Sequence, residues 1–324
     1  MQQITLDEIE SAASIVYAEM QATPQYCWPL LCERLGTEVW VKHENHTPIG
    51  SFKIRGGLVY FANLAKSSEM QKGIVSATRG NHGQSVGFAA WRYGIPATIL
   101  VPHGNSLEKN AAMRAFGVHL IEHGEDFQAA REYAKDLAHE KSLKMISSFD
   151  PLLVTGVATY SLELLRAVKD LDVVYVPIGL GSGICGMLAV RDALELNTEI
   201  VGVVSAHANT YAKSFVSRSP VESTVSTKIA DGIDCRVPEQ SALDLIWKGV
   251  ERIVQVSDTE IAESMRIMYE CTHNVCEGAG AAAIAAALQE SSKNKGLKVA
   301  VIASGGNVDC DVFAKILNGE NFVD

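Results

Sequence analysis

Short apolar runs alternate along the chain with longer stretches in which apolar residues recur every three or four positions. The runs are rich in Val and Ile, which predicts strands, and they lie at 38–44, 73–78, 97–102, 118–123, 173–179, 199–206 and 298–306. This alternation predicts an α/β fold of open, mostly parallel twisted sheets flanked by helices. Ligands of such folds bind beyond the carboxyl ends of the strands, so the residues just after each run are the candidates for a site.

The composition narrows the class of protein. The chain has 324 residues, 47% of them hydrophobic, which is enough for two modest domains or one large one. Its net charge of -10 without basic runs argues against nucleic-acid and anionic-membrane partners. We expect neither a signal peptide nor a membrane span, since no apolar run reaches about 18 residues. The seven cysteines are scattered and form no C-x-x-C, which predicts reduced thiols in a cytoplasmic protein and no zinc site.

A lysine stands in an apolar setting within His46–Gly57, whose sequence is HTPIGSFKIRGG. One interpretation is a helix start, with Thr47 or Ser51 as the cap and Lys53 reaching into water. The other is an amine kept reactive by its removal from water, of the kind that forms Schiff bases. The stretch by itself leaves both interpretations open.

Polar residues follow the run at 73–78 and lead into a helical pattern. They are Thr78, Arg79, Gly80, Asn81 and His82. Backbone N–H groups at the start of a helix, together with a carboxamide and an imidazole, form a cup that accepts a carboxylate. A capped turn is the alternative interpretation.

The sequence GLGSGICG at 179–186 follows the next run. Its glycines let backbone amides converge ahead of a helix, which indicates a phosphate site. The spacing Gly181-x-Gly183-x-x-Gly186 also matches a dinucleotide fingerprint, which requires an acidic residue about 20 positions further on. The following strand ends in Ser-Ala-His at 205–207, without a carboxylate. A small phosphate ligand is therefore favoured over NAD.

Two weaker signals complete the set. Ser304 is a neutral hydroxyl at a glycine turn after the last run, and Glu277 precedes a helical pattern of small residues, where the helix dipole favours a carboxylate. Each has a purely structural interpretation, a tight turn and a helix N-terminus. Together with the lysine, the cup and the phosphate loop they suit pyridoxal phosphate, which needs a Schiff-base lysine, a phosphate anchor and a partner for its ring nitrogen.

The motifs SFKIRGG, RGNHGQSVGFAA, GLGSGICG, EGAGAAAIAAA and SGGNVD occur in the order seen in the fold-type-II pyridoxal-phosphate enzymes. The chain most resembles the threonine/serine dehydratase and serine racemase branch, and a phenylserine-dehydratase-like member is one option. The resemblance implies a two-domain, tryptophan synthase beta-like fold and a homodimer or homotetramer. The small domain would span 48–148, and the large domain would combine 1–47 with 149–324.

The resemblance also implies roles for these residues. Lys53 would be the Schiff-base lysine and the general base, and Phe52 would pack beside the cofactor ring. Asn81 would bond the ring hydroxyl, Ser304 would face the ring nitrogen, and Glu277 would belong to the cofactor site. The phosphate would be held by the amides of Gly179, Leu180, Gly181, Ser182 and Gly183. The substrate would be held by Thr78, Arg79, Gly80, Asn81 and His82.

The implied reaction is an α,β-elimination that converts a 3-hydroxy-L-amino acid to a 2-oxo acid and ammonia. The substrate would be threonine, serine or a bulkier neutral analogue such as phenylserine. The open alternatives are a racemase or β-replacement synthase on the same fold, a 3-hydroxyaspartate dehydratase and a catalytically silent pyridoxal-phosphate-binding protein.

The chain departs from its relatives at two places. Arg79 stands where relatives carry serine or alanine, and a guanidinium that stays protonated is a poor second acid/base. We therefore expect dehydration without racemisation, with Arg79 either paired to an internal carboxylate or shaping substrate choice. Ser205 and Tyr211 align with the two carboxylates that hold a divalent metal in racemase-like relatives. Since neither is a good hard-cation ligand, we expect no activating metal there.

Overall fold

The computed structural model describes residues 4–66 and 72–320. Its strands are β1 (Gln25–Cys27), β2 (Glu38–His43), β3 (Ile74–Ala77), β4 (Ala97–Val101), β5 (His119–Glu122), β6 (Lys144–Met145), β7 (Val173–Pro177), β8 (Glu199–Ser205), β9 (Arg252–Val256) and β10 (Lys298–Ala303). Its α-helices are α1 (Leu6–Tyr17), α2 (Pro29–Leu35), α3 (Lys53–Leu64), α4 (Asn81–Arg92), α5 (Leu107–Ala115), α6 (Phe127–Lys141), α7 (Pro151–Ala167), α8 (Ser182–Ala193), α9 (Thr210–Ser217), α10 (Gln240–Gly249), α11 (Asp258–Thr272), α12 (Gly278–Gln289) and α13 (Cys310–Leu317).

The strands form two sheets. Six lie in the order β1-β2-β10-β7-β8-β9, and each neighbouring pair is parallel except β1 with β2. The other four lie in the order β5-β4-β3-β6 and are all parallel. Helices flank both sheets, which confirms the predicted two-domain α/β fold. All strands of the smaller sheet fall within 48–148, although the domain boundaries themselves stay a prediction and both chain ends lie outside the described residues.

The seven predicted strands are present, with ends that differ by a few residues. Three others were not predicted. Two of them, β1 and β6, have three and two residues, which is too short to show a pattern. The third, β9, lies at the edge of the larger sheet and carries Arg252 and Gln255, which interrupt its apolar run.

The larger sheet is buried on both faces. Along β7, Val174 and Val176 join an apolar layer with α7 and α8, whereas Val173 and Tyr175 join the layer formed with α11 and α12. Burial of both faces explains why the central strands show continuous apolar runs instead of an alternating pattern.

Helix α12 packs closely because it is built from small residues. Its residues from Gly278 to Ala287 are all buried. A Cβ atom at Gly280 would lie 2.3 Å from the carbonyl oxygen of Gly305, so only glycine fits there. This close approach places Glu277, which immediately precedes the helix, beside the loop that follows β10.

Helix α3 is fixed from two sides. An antiparallel bridge joins Ser51 to Gly305, and the Phe52 amide donates to the Ser304 carbonyl at 3.1 Å. Arg55, the third residue of the helix, is fully buried and donates from Nε to Glu44 at 2.7 Å and from Nη1 to Glu163 of α7 at 2.6 Å. These contacts hold the start of α3, and with it Lys53, against the larger sheet.

Among the helices of the described ranges, none is both long and apolar enough to cross a membrane.

Candidate active site

One cavity of about 540 Å³ opens at the carboxyl ends of strands from both sheets. Every residue that the sequence singled out for the cofactor or the substrate lines this cavity. These residues are Phe52, Lys53, Thr78, Arg79, Gly80, Asn81, His82, Gly179, Leu180, Gly181, Ser182, Gly183, Glu277 and Ser304.

Lys53 is the first residue of α3 and its side chain points into the cavity. Its Nζ donates to the Ser182 hydroxyl at 3.2 Å and lies 4.8 Å from the centre of the Phe52 ring. The interpretation of Thr47 or Ser51 as a cap with Lys53 in water is wrong. Phe52 is the N-cap residue without a side-chain cap, and the Thr47 hydroxyl bonds the backbone of Ser51 instead.

Removal from water lowers the pKa of Lys53 to about 8, because burial penalises the charged amine. A substantial fraction of the amine is therefore neutral near pH 8, whereas an ordinary lysine is almost entirely protonated there. A neutral amine is what a nucleophile or a general base requires.

The phosphate loop, residues 179–183, runs from the end of β7 into α8. Gly181 has φ +100°, in the left-handed region that favours glycine, and it is the N-cap residue of α8. The first N–H groups of a helix have no partner within the helix, and the helix dipole adds positive potential at this end. The loop is thus built to accept an anionic group from the cavity.

The cup at 78–82 is formed at the start of α4. The Thr78 hydroxyl accepts from the amides of Gly80 at 3.0 Å and Gly83 at 3.3 Å, which holds the turn in place. Burial, with the nearby Lys53 amine, lowers the pKa of His82 to about 3, so its imidazole is neutral at ordinary pH. A neutral imidazole and helix amides together can bind a carboxylate by hydrogen bonds.

The Asn81 carboxamide is oriented by two neighbours. Its Nδ2 donates to Glu277 at 2.6 Å, and its Oδ1 accepts from Nδ2 of Asn307 at 2.8 Å. One N–H of the Asn81 amide is left for a ligand. Asn307 lies in the SGGNVD motif, of which only Ser304 was predicted to belong to the site.

A buried lysine controls the charge around Glu277. Nζ of Lys109 lies 2.6 Å from Asp231 and 3.6 Å from Glu277. Burial raises the pKa of Glu277 to about 7, although the Lys109 ammonium opposes the shift. Neither Lys109 nor Asp231 was predicted from the sequence. Lys109 falls in a helical pattern that looks amphipathic and solvated, and no motif marks Asp231.

Arg79 forms an internal ion pair, which is one of the two alternatives that the sequence left open. Its Nη1 lies 3.5 Å from Asp234, and the Arg79 side chain is 39% exposed. Burial raises the pKa of Asp234 to about 7, with Arg79 acting in the opposite direction. The pair is long, so Arg79 retains N–H groups that can bind a ligand.

The positions considered for a metal present no carboxylate. The Ser205 hydroxyl accepts from the His207 amide at 3.1 Å, and the buried Tyr211 phenol donates to the Leu180 carbonyl. Within 4–66 and 72–320 there is also no group of three or more His, Cys, Asp or Glu side chains arranged for a metal. The absence of metal activation stays a prediction.

Three buried polar atoms of the cavity have no hydrogen-bond partner among the described residues. They are Nε of Arg79, Nε2 of His82 and Oε2 of Glu277, the last of which has the Lys109 ammonium 3.6 Å away, beyond hydrogen-bond distance. Buried polar atoms without partners are rare in proteins because they cost about 1–3 kcal/mol each, so these atoms indicate a polar ligand. An amine of lowered pKa, an anion-binding loop and a neutral hydroxyl at Ser304 fit pyridoxal phosphate.

A family model described as "Pyridoxal-phosphate dependent enzyme" matches residues 18–305. The chain belongs to this family. It is 33% identical over 316 residues to the L-threonine ammonia-lyase of Thermotoga maritima, covering 97% of this chain and 78% of that protein.

Two solved structures share the fold. Threonine deaminase isoform 2 of Solanum lycopersicum, in its processed form, has a TM-score of 0.87 and 29% identity, covering 97% of this chain and 94% of that one. Maize serine racemase has a TM-score of 0.90 and 26% identity, covering 98% of both chains. The family, its cofactor and the prediction of a pyridoxal-phosphate-dependent lyase are thereby confirmed.

Proposed function

We propose that this protein is a pyridoxal-phosphate-dependent dehydratase that converts 3-hydroxy-L-amino acids to 2-oxo acids and ammonia. The observation that carries the proposal is the convergence of Lys53, the phosphate loop and the cup at 78–82 on one cavity. The similarity to a threonine ammonia-lyase and a threonine deaminase supports the reaction class.

Each group of site residues has its own role in binding or catalysis. The phosphate loop would anchor the cofactor phosphate, and Asn81 and Ser304 would bond the ring. When bound, pyridoxal phosphate supplies the electron sink that makes the α-proton of an amino acid acidic. The cup binds the substrate carboxylate and so orients the Cα–H bond. Lys53 then removes the α-proton as a neutral amine, and the same side chain, now protonated, returns that proton to the departing β-hydroxyl.

Threonine, serine and the bulkier phenylserine are the proposed substrates. Phe127, Val225 and Val237 are among the apolar residues that line the cavity, which suits a neutral side chain. The pairing of Arg79 with Asp234 offsets part of the positive charge that a second carboxylate would need. The predicted cytoplasmic location and the homodimeric or homotetrameric state belong to the same proposal.

A second candidate is a 3-hydroxyaspartate dehydratase. The motifs contain no second basic residue for a side-chain carboxylate, but the cavity is also lined by Arg131 and Arg236. The Arg236 guanidinium lies 4.0 Å from Asp126, and no ion pair of Arg131 is found within the described ranges. Arg131 therefore keeps this candidate open.

The test is a substrate panel on the purified protein with its cofactor. L-threonine, L-serine, L-phenylserine and 3-hydroxyaspartate are each incubated with wild type, and the 2-oxo acid and ammonia are measured. We expect equal amounts of both products from at least one neutral substrate, and none from a Lys53→Ala variant. Product from 3-hydroxyaspartate alone favours the second candidate, and no product from any substrate contradicts the dehydratase.

A further inference from the structure

A buried phenol that does not line the cavity contacts the phosphate loop. The hydroxyl of Tyr211, on α9, lies 2.9 Å from the Leu180 carbonyl oxygen. The backbone N–H of Glu239, just before α10, donates to the same hydroxyl at 3.0 Å. Tyr211 is 1% exposed, so water does not compete for these bonds.

The direction of both hydrogen bonds follows from the partners. An amide N–H can only donate and a carbonyl oxygen can only accept. Tyr211 therefore accepts from Glu239 and donates its own proton to Leu180. Burial raises the pKa of Tyr211 well above its ordinary value, so the proton stays on the phenol throughout the working pH range.

This bond sets the orientation of one peptide group in the loop. The peptide between Leu180 and Gly181 is trans, and the C=O and N–H of a trans peptide point in opposite directions. With the Leu180 oxygen directed at Tyr211, which does not line the cavity, the Gly181 N–H is directed away from Tyr211.

We propose that Tyr211 is a positioning residue that holds the Gly181 N–H in the direction needed to bind the cofactor phosphate. The proposal rests on the proposed function, since it assumes that the phosphate of pyridoxal phosphate occupies the loop. An amide that is already oriented binds without the cost of ordering it at the moment of association.

The test compares two ligands that differ only in the phosphate. Pyridoxal phosphate and pyridoxal carry the same aldehyde, so both can react with Lys53. The full chain, freed of cofactor, is dialysed to equilibrium against a series of concentrations of each, for wild type and Tyr211→Phe. Loss of a buried hydrogen bond predicts that Kd for pyridoxal phosphate rises by about tenfold, while Kd for pyridoxal changes by less than about twofold.

Tyr175→Phe is the matched control. Tyr175 is also fully buried, and its hydroxyl bonds Glu290 at 2.8 Å and Asn294 at 2.9 Å, away from the loop. We expect it to leave both Kd values unchanged. An equal change for both ligands in Tyr211→Phe overturns the proposal, as does an unchanged Kd for pyridoxal phosphate.

Glu239→Pro serves as a second variant that leaves the Tyr211 ring in place. The φ of Glu239 is −82°, which proline tolerates, and the substitution removes the N–H that donates to Tyr211. It also removes the Glu239 carboxylate, which accepts from the Ser241 hydroxyl at 2.9 Å, so Glu239→Ala, which keeps the N–H, is its control. We expect the ratio of Kd for pyridoxal phosphate to Kd for pyridoxal to rise, but less than in Tyr211→Phe. An unchanged ratio would contradict the proposal. If wild type takes up no pyridoxal phosphate, the proposed function fails; if it does and Tyr211→Phe binds equally well, only the role of Tyr211 fails.

Discussion

Lys53 acquires its chemistry from the place where its helix begins. At the first position of α3, the side chain points into a cavity and burial lowers its pKa to about 8. Burial alone accounts for this shift. The amine is also held within 3.2 Å of Ser182, so it lies beside the loop that would receive the cofactor phosphate.

This shift predicts the pH dependence of cofactor uptake. The neutral amine attacks the aldehyde, so the rate of pyridoxal phosphate uptake by the cofactor-free protein should rise with pH and level off above about 8. Stopped-flow absorbance over a pH series measures the rate. A rate that still climbs about sevenfold between pH 9 and pH 10 indicates an ordinary lysine and contradicts the shift.

Arg79 gives a prediction about selectivity. If its guanidinium contacts the substrate side chain, Arg79→Ala should change the ratio of kcat/KM between phenylserine and threonine by about tenfold, an effect typical of one lost polar or stacking contact. Arg92→Ala is the control, because Arg92 pairs with Glu19 on the surface. Unchanged ratios would leave Arg79 with a structural role only.

The same residue bears on stereochemistry. A permanently protonated guanidinium cannot exchange a proton at Cα on the face opposite Lys53. We therefore expect wild type to form no appreciable D-serine from L-serine, as measured by chiral chromatography. Appreciable D-serine would mean that another group acts as the second acid/base.

At the scale of elements, α3 and α7 form the support of the site. Their backbones approach so closely that a Cβ atom at Gly156 would lie 2.4 Å from the carbonyl oxygen of Arg55. Glu163 of α7 accepts from Arg55 and also lies 2.5 Å from the buried Lys42. The cluster joins α3, α7 and β2, with the side chains of Lys42 and Arg55 fully buried and that of Glu163 6% exposed.

Glu163→Gln tests this support. The change removes the negative charge that pairs with the buried Lys42 and Arg55. The free energy of unfolding should therefore fall by about 3–5 kcal/mol. Glu10→Gln is the control. Glu10 forms an exposed pair with Arg166 of α7, the helix that carries Glu163, so this substitution should cost less than about 1 kcal/mol. Urea unfolding measures both variants, and equal losses would show that the Glu163 network does not carry the stability assigned to it.

For the whole molecule, the strands and the residues of the site could be predicted from the sequence, whereas the side-chain contacts between residues far apart in the chain could not. The apolar runs of β7, β8 and β10 are visible because both faces of the sheet are buried. Motifs after the strands identified the residues around the cavity because parallel strands bring their carboxyl ends to one edge.

The residues that were missed act across long sequence distances. Helix α5 packs on the smaller sheet, and its Lys109 contacts Asp231 and Glu277, which lie in loops between elements of the larger sheet. Asn307 likewise meets Asn81 across the cavity. Neither pairing has a local pattern in the sequence. The cap predicted for α3 was wrong for a related reason, since a backbone contact with Ser304 fixes Phe52 where a side-chain cap was expected.

The most direct test of the account is to locate the covalent bond to the cofactor. The purified protein with bound pyridoxal phosphate is reduced with borohydride, digested and analysed by mass spectrometry. The account predicts a single pyridoxyl-phosphate adduct on Lys53, and loss of that adduct in Lys53→Ala. An adduct on another lysine, with Lys53 unmodified, would contradict it.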